Sequence, residues 1–135
     1  MTNKIQVLCD NELKKIDRKV GIDAIYRVKT SKSLDLETGE VVDTYSPAIT
    51  STTANCKVRA ITLTSRERAN LANAGLDQVD AIWHIRHAYL ENLGISDVRS
   101  DHMLTVSSFH YNIIENGASL DVLHRLWTIM TRRRR

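Results

Sequence analysis

Ile22-Asp23-Ala24-Ile25-Tyr26-Arg27-Val28-Lys29 is the stretch whose reading decides the fold. Ile22, Ala24, Tyr26 and Val28 alternate with Asp23, Ile25, Arg27 and Lys29. Successive side chains of an extended chain point to opposite faces, so this is the pattern of a half-buried strand. The preceding stretch has a different period. Ile5, Leu8, Leu13, Ile16 and Val20 fall near one face at helical spacing, and Lys14, Asp17 and Arg18 lie on the opposite face. Gly21 follows as a helix stop. The chain is therefore expected to divide into a helical extension over 1–20, a β-barrel domain over 21–131 and a basic tail over 132–135.

After Lys29 the pattern weakens. Thr30 to Ser46 holds Asp35-Leu36-Glu37-Thr38-Gly39-Glu40, in which Gly39 supplies a turn and Val41-Val42 opens a returning strand. Pro47 to Asn55 is rich in Ser, Thr and Ala. The whole connection, Thr30 to Ala54, reads as a long polar loop, and loops of that length are uncommon unless they have a task. Cys56, Val58 and Ala60 alternate with Lys57 and Arg59, and Ile61 and Leu63 continue this second strand. Thr64-Ser65-Arg66-Glu67 has the spacing of a capping box, which opens a helix from Ser65 to Ala74 closed by Gly75.

The run Val79 to Leu90 fits two patterns. As a strand, Ala81, Trp83, Ile85, His87 and Tyr89 share a face; as a helix, Val79, Ile82, Arg86, Tyr89 and Leu93 line up with Gly94 as cap. Enrichment in Trp, Ile and Tyr favours the strand. Met103 to Val106 and Phe109 to Glu115 read as a hairpin turning on Ser107-Ser108, with Asn116-Gly117 as the next turn. Leu120 to Thr131 alternates once more as a final strand. Five or six strands with short turns imply a mainly β chain, a small antiparallel barrel or two-layer sheet with a long loop, one inserted helix and an N-terminal helix.

Composition limits the function classes. The chain has 135 residues, 42% apolar and 26% charged, as in an ordinary folded domain. No apolar run reaches the roughly 18 residues of a membrane span, and the first ten residues lack a signal-peptide layout, so synthesis in the cytoplasm without a membrane partner is expected. Cys9 and Cys56 have no metal or redox spacing and read as reduced thiols. The net charge of +3 comes from Arg132, Arg133, Arg134 and Arg135; without them 15 basic side chains face 16 acidic ones. Two readings of this tail stand side by side: a solvated, frayed end, or a contact with DNA or an acidic partner.

Catalytic constellations are missing from the sequence. His84 and His87 share a face only on a helix, and no Cys, Asp or Glu supports them as metal ligands. His110 and Asp101 are candidate neighbours across a turn, but a lone pair of this kind is weak ground for catalysis. Ser107-Ser108 has no nucleophile-elbow context, and no glycines have phosphate-loop spacing. Asp35/Glu37 and Glu40/Asp43 suit a solvated loop better than acid–base work. Trp83 and Trp127 read first as core, with an interface anchor as the alternative. The expectation is a non-enzymatic chain with no cofactor, no metal and no catalytic residue.

From Ile22 onward the order of elements resembles the head-closure, or head–tail joining, proteins of tailed bacteriophages. Val58-Arg59-Ala60-Ile61 leading into Ser65-Arg66-Glu67 is similar to the family's strand with a helical insert. Ile82 to His87 is similar to its apolar–Arg strand. Met103-Leu104-Thr105-Val106 with Phe109 to Ile114 is similar to its hairpin, here turning on Ser107-Ser108 where the family usually has Gly. Leu123 to Arg133 is similar to its last strand. The resemblance implies a small β-barrel that forms a ring in the virion neck, docks under the portal or adaptor protein and presents a surface to the tail-completion or tail-tube protein. It implies that the loop bearing Lys32, Asp35, Glu37, Gly39 and Glu40 docks or gates, with the Arg132 to Arg135 end near packaged DNA or a partner. The alternatives are a neighbouring tail-completion protein and an oligonucleotide-binding barrel, the latter suggested by β-rich content plus the arginine tail.

Overall fold

A computed structural model of the chain describes residues 4–34, 36–62, 64–73 and 79–134, leaving out the side chains at 31, 33, 41 and 42. The elements are α1 (Lys4–Val20), β1 (Ile22–Leu34), β2 (Val41–Ser46), β3 (Cys56–Ile61), α2 (Ser65–Asn73), β4 (Ala81–Arg86), α3 (His87–Asn92), β5 (Met103–Val106), β6 (Phe109–Leu120) and β7 (Leu126–Arg133). Six strands pair antiparallel in the order β1-β3-β4-β7-β6-β5, and β5 returns to β1 to close a barrel. Closure leaves none of the six with an open edge along its barrel pairing.

The alternation read from residues 22–28 explains the interior. Ala24, Tyr26, Cys56, Val58, Trp83, Ile85, Leu104, Val106, Trp127 and Ile129 are all buried in one cluster. The two indoles are core residues and both find an acceptor. Trp83 Nε1 donates to Thr131 Oγ1 at 3.0 Å, which in turn donates to the Ala81 carbonyl at 2.9 Å. Trp127 Nε1 donates to His87 Nδ1 at 2.9 Å. A buried indole without such a partner would carry the desolvation cost of its N–H.

β1 has two jobs. Its first half, Ile22 to Arg27, pairs with β3 and β5 inside the barrel. Its second half, Val28 to Leu34, leaves the barrel and pairs only with β2. Most of the expected long loop is thus a β-hairpin, and only residues 47–55 are irregular. The polar run Thr30-Ser31-Lys32-Ser33 hid the strand because four polar residues in a row carry no apolar alternation. Lys29 reaches Asp43 at 3.2 Å across the pair, a cross-strand contact that helps hold the ribbon.

Three further expectations change. Val79 to Leu90 is half strand and half helix: β4 stops at Arg86 and α3 begins at His87. The helix reading supplies its end, since Ile95 N–H donates to the Leu90 carbonyl at 2.8 Å and Gly94 follows at φ +75°. Asn116-Gly117 is a bulge within β6 instead of a turn, with residues 114–117 opposite Met130 alone. Asn116 has φ +59°, a conformation that serves a bulge as well as a turn. A Cβ on Gly117 would lie 2.9 Å from the Ile114 carbonyl oxygen, so the bulge needs glycine there. The reversal comes later, where Asp121 Oδ1 accepts from the Arg125 and Leu126 N–H groups at 2.7 and 3.0 Å. The final strand is therefore Leu126–Arg133, not Leu120 to Thr131.

The capping box is present: Glu67 N–H donates to Thr64 Oγ1 at 3.2 Å and Thr64 N–H to Glu67 Oε1 at 3.4 Å. The predicted strand end at Leu63 and helix end at Ala74 and Gly75 lie outside the described residues.

Candidate docking surfaces

The β1–β2 hairpin carries the residues expected to dock. The stretch from Val28 to Leu34 extends the ribbon by roughly 20 Å at ~3.3 Å per residue. Gly39, at φ +73°, closes its turn, and Glu40 N–H donates to Thr38 Oγ1 at 3.3 Å. Lys32, Glu37 and Glu40 are exposed along it, while Asp35 lies outside the described residues. The tip has a feature the charge pattern obscured. Leu36 is 91% exposed and Leu34 lies open beside it, so the carboxylates flank two unburied leucines.

Arg132, Arg133 and Arg134 are tied to the barrel rather than trailing from it. Arg132 and Arg133 are the last residues of β7, opposite Asn112 and Tyr111. Arg133 N–H donates to Asp80 Oδ2 at 2.8 Å, and its guanidinium lies 3.8 Å over the Phe109 ring. Arg134 N–H donates to the His110 carbonyl at 2.8 Å, and its Nη2 donates to the Tyr45 hydroxyl at 3.1 Å. Tyr45 lies on β2, so Arg134 braces the base of the hairpin against the barrel end. Arg135 lies outside the described residues.

Residues 47–55 cover the outer face of β1 and β5, and a side chain of that face pins them. Arg27 is 1% exposed. Its Nη1 donates to the carbonyls of Pro47 and Ala48, its Nη2 to the Ser51 carbonyl at 2.7 Å, and its Nε to Thr105 Oγ1 at 3.1 Å. Thr105 passes the chain on to His110 Nδ1 at 2.8 Å. Burial holds the Arg27 guanidinium below its ordinary value, and carbonyl oxygens stand where a carboxylate would usually pair it. A pocket of about 490 Å³ opens beside it, lined by Thr52, Ser107 and Ser108 among others. Sequence reasoning placed Arg27 on a solvated face. The signal it passed over is Ile25, an apolar residue in the supposedly polar phase.

α1 sits on the barrel by an unusual face. Its buried residues are Leu13 and Asp17. Asp17, 4% exposed, lies 3.5 Å from Arg59 Nε and 4.0 Å from Arg86 Nε. Neither guanidinium Nε makes a hydrogen bond, nor does Asp17 Oδ2. Burial pushes the Asp17 carboxyl up, against the opposing pull of Arg59 and Arg86. Further along, Asp10 Oδ2 accepts from Arg125 Nη1 at 3.0 Å, and Gln6 Nε2 donates to the Leu123 carbonyl at 3.0 Å. The helix is thus seated largely on polar contacts. Ile5, Leu8, Ile16 and Val20, read from the sequence as its core stripe, remain exposed.

His87, His102 and His110 are structural partners in this arrangement. His110 meets Thr105 instead of Asp101, which lies 3.8 Å from His102. His102 Nδ1 accepts from the Tyr26 hydroxyl at 2.5 Å and from Arg99 N–H at 3.3 Å. Among the described residues, no three His, Cys, Asp or Glu side chains converge as a ligand set. Cys9 and Cys56 are free thiols, and burial pushes Cys56 up to about 12. No described helix is long and apolar enough to cross a membrane. Comparison of the chain with family models, curated proteins and solved structures finds no match.

Proposed function

We propose that this chain is a non-enzymatic head-closure protein of a tailed-phage neck, a ring subunit that docks below the portal or adaptor and offers a surface to the tail. The observation that carries this reading is the closed barrel with a braced hairpin extending from one of its own strands. A closed barrel makes a stiff wall segment, since its polar backbone groups are paired within the wall. A hairpin continuous with β1 transmits force to that wall without a hinge of irregular chain. The tip, acidic with exposed leucines, suits a protein neighbour. DNA phosphates would be repelled by it, so the hairpin serves docking ahead of gripping DNA. Arg133 and Arg134 pack their guanidinium groups on Phe109 and Tyr45, which favours a structural role over nucleic-acid binding.

The test is electron microscopy of the protein incubated with purified portal–adaptor assemblies. An added ring of density under the assembly is expected. Absence of binding to every neck component, portal, adaptor and tail-completion protein alike, overturns the reading.

A further inference from the structure

We propose that the hairpin tip of one chain docks on the exposed face of α1 of a second copy. The proposal deepens the ring-forming reading above and rests on it for closure, while the contact itself is argued from the two surfaces. On α1 five large apolar residues are open: Ile5, Leu8, Ile16 and Val20 along one side, with Ile5 63% and Val20 60% exposed, and Val7 apart from them. The helix seats itself with Asp17, Asp10 and Gln6, so this apolar face is left unused by its own barrel. A surface helix normally buries its apolar stripe against its own core. Here Leu13 alone of the large apolar residues is buried, beside Asp17, and the other apolar side chains are open.

Charge identifies the occupant. The exposed side chains of α1 include the cations Lys4, Lys14, Lys15, Arg18 and Lys19 and one carboxylate, Glu12. Lys15, Lys19 and Glu12 lie on the same side of the helix as Leu8 and Ile16, and Glu12 pairs with Lys15 at 3.3 Å. The hairpin tip, residues 34–40, has the opposite character: Asp35, Glu37 and Glu40 are its charged residues, and none is a cation. Leu34 and Leu36 are its exposed apolar groups. Each surface therefore has what the other lacks, leucines for an apolar stripe and carboxylates for lysines. Opposed charges of this kind orient an encounter and fix its register.

The two surfaces suit different copies better than one. α1 joins the first residue of β1 through Gly21, whereas the tip follows the last, Leu34. A strand of that length separates its ends by roughly 40 Å at ~3.3 Å per residue. From Gly21 α1 turns over β3, β4 and the β6–β7 turn, where Arg59, Arg86 and Arg125 hold it. A contact between unlike surfaces is heterologous. It closes into a ring when the rotation between neighbours divides a full turn.

Disulfide trapping tests the contact in the full-length protein. Two preparations of different tag mass carry Val20→Cys and Leu36→Cys, each with Cys9→Ser, and are mixed at high concentration under mild oxidation. The expected result is a Val20–Leu36 cross-linked heterodimer in large excess over either homodimer, its yield falling several-fold at high salt. A chain carrying both cysteines should give a ladder of oligomers. Glu37→Lys with Glu40→Lys in the tip should abolish the cross-link, and Lys15→Glu with Lys19→Glu in the partner should restore it. Circular dichroism matching the parent shows that the variants fold. Homodimers of Leu36→Cys in excess, or a yield no higher than that of the exposed control Asn92→Cys, overturns the proposal. A trapped heterodimer with no binding to neck components overturns the neck assignment alone; neck binding without the trap overturns this contact alone.

Discussion

Tyr26 shows how single residues complete a barrel strand. β3 pairs with β1 only as far as Cys56 opposite Ala24. At Tyr26 the side chain of Asn55 takes over. Its Oδ1 accepts from Tyr26 N–H at 2.8 Å and its Nδ2 donates to the Tyr26 carbonyl at 3.0 Å, as a paired peptide would. Asn55→Ala leaves both groups without that partner and should cost ~1–3 kcal/mol in urea unfolding. Asn55→Asp keeps the acceptor, loses the donor and should fall between. The Tyr26 hydroxyl donates to His102 Nδ1, so that nitrogen must be unprotonated. Burial, seconded by Arg99, holds His102 below 6.5, outweighing Asp101 and Asp97. The unfolded chain therefore takes up its proton first as pH falls. Stability from this group is complete above about pH 6.5 and is lost on acidification through the folded-state value. His84 and His110 are held down in the same direction. The urea midpoint should drop between pH 7 and 5, and His102→Gln should flatten that slope by up to ~1.4 kcal/mol per pH unit. An unchanged slope in the variant refutes this account.

At the scale of elements, β5 and its turn into β6 were legible to the residue. Val106 faces Phe109 across Ser107-Ser108, which hold φ +51° and +69°. Two left-handed residues form the turn that matches strand twist, yet serine is a poor choice for it. Replacing the pair by Asn-Gly should stabilise the protein by about 1 kcal/mol, roughly 2–6 °C in Tm by calorimetry. The capping box of α2 and the stop at Gly21 were legible for the same reason: the chemistry lies within four residues. Asn116-Gly117 misled because its left-handed preference is equally a bulge signal, and only the pairing with β7 that resumes at Ala118 opposite Ile129 distinguishes the two. The ribbon of β1 beyond Lys29 was invisible because its run of polar residues, Thr30 to Ser33, has no apolar period. Lys32, Glu37 and Glu40 were singled out through the resemblance alone, and the open leucines beside them, Leu34 and Leu36, were not singled out, since exposure cannot be read from a polar run.

At the scale of the molecule, barrel and helix are stabilised by different physics. The barrel is closed and filled by a continuous apolar cluster. α1 contributes one buried apolar side chain, Leu13, and otherwise rests on Asp17, Asp10 and Gln6. An element held by few apolar contacts opens on its own, at a free energy below that of global unfolding. Asp17→Ala should expose this hierarchy. It removes the carboxylate between Arg59 and Arg86 and leaves two cations facing each other under the helix. Breaking a fully buried pair costs ~3–5 kcal/mol; Arg59 reaches solvent, so about 2 kcal/mol is expected here. By hydrogen exchange, amides of Leu13 to Val20 should lose roughly 30-fold in protection. Those of Val58, Ile85 and Ile129, in the barrel wall, should change far less. Equal loss in helix and barrel would mean that α1 is a cooperative part of the barrel. Loss confined to α1 would make the helix a plate held on the barrel separately from its core.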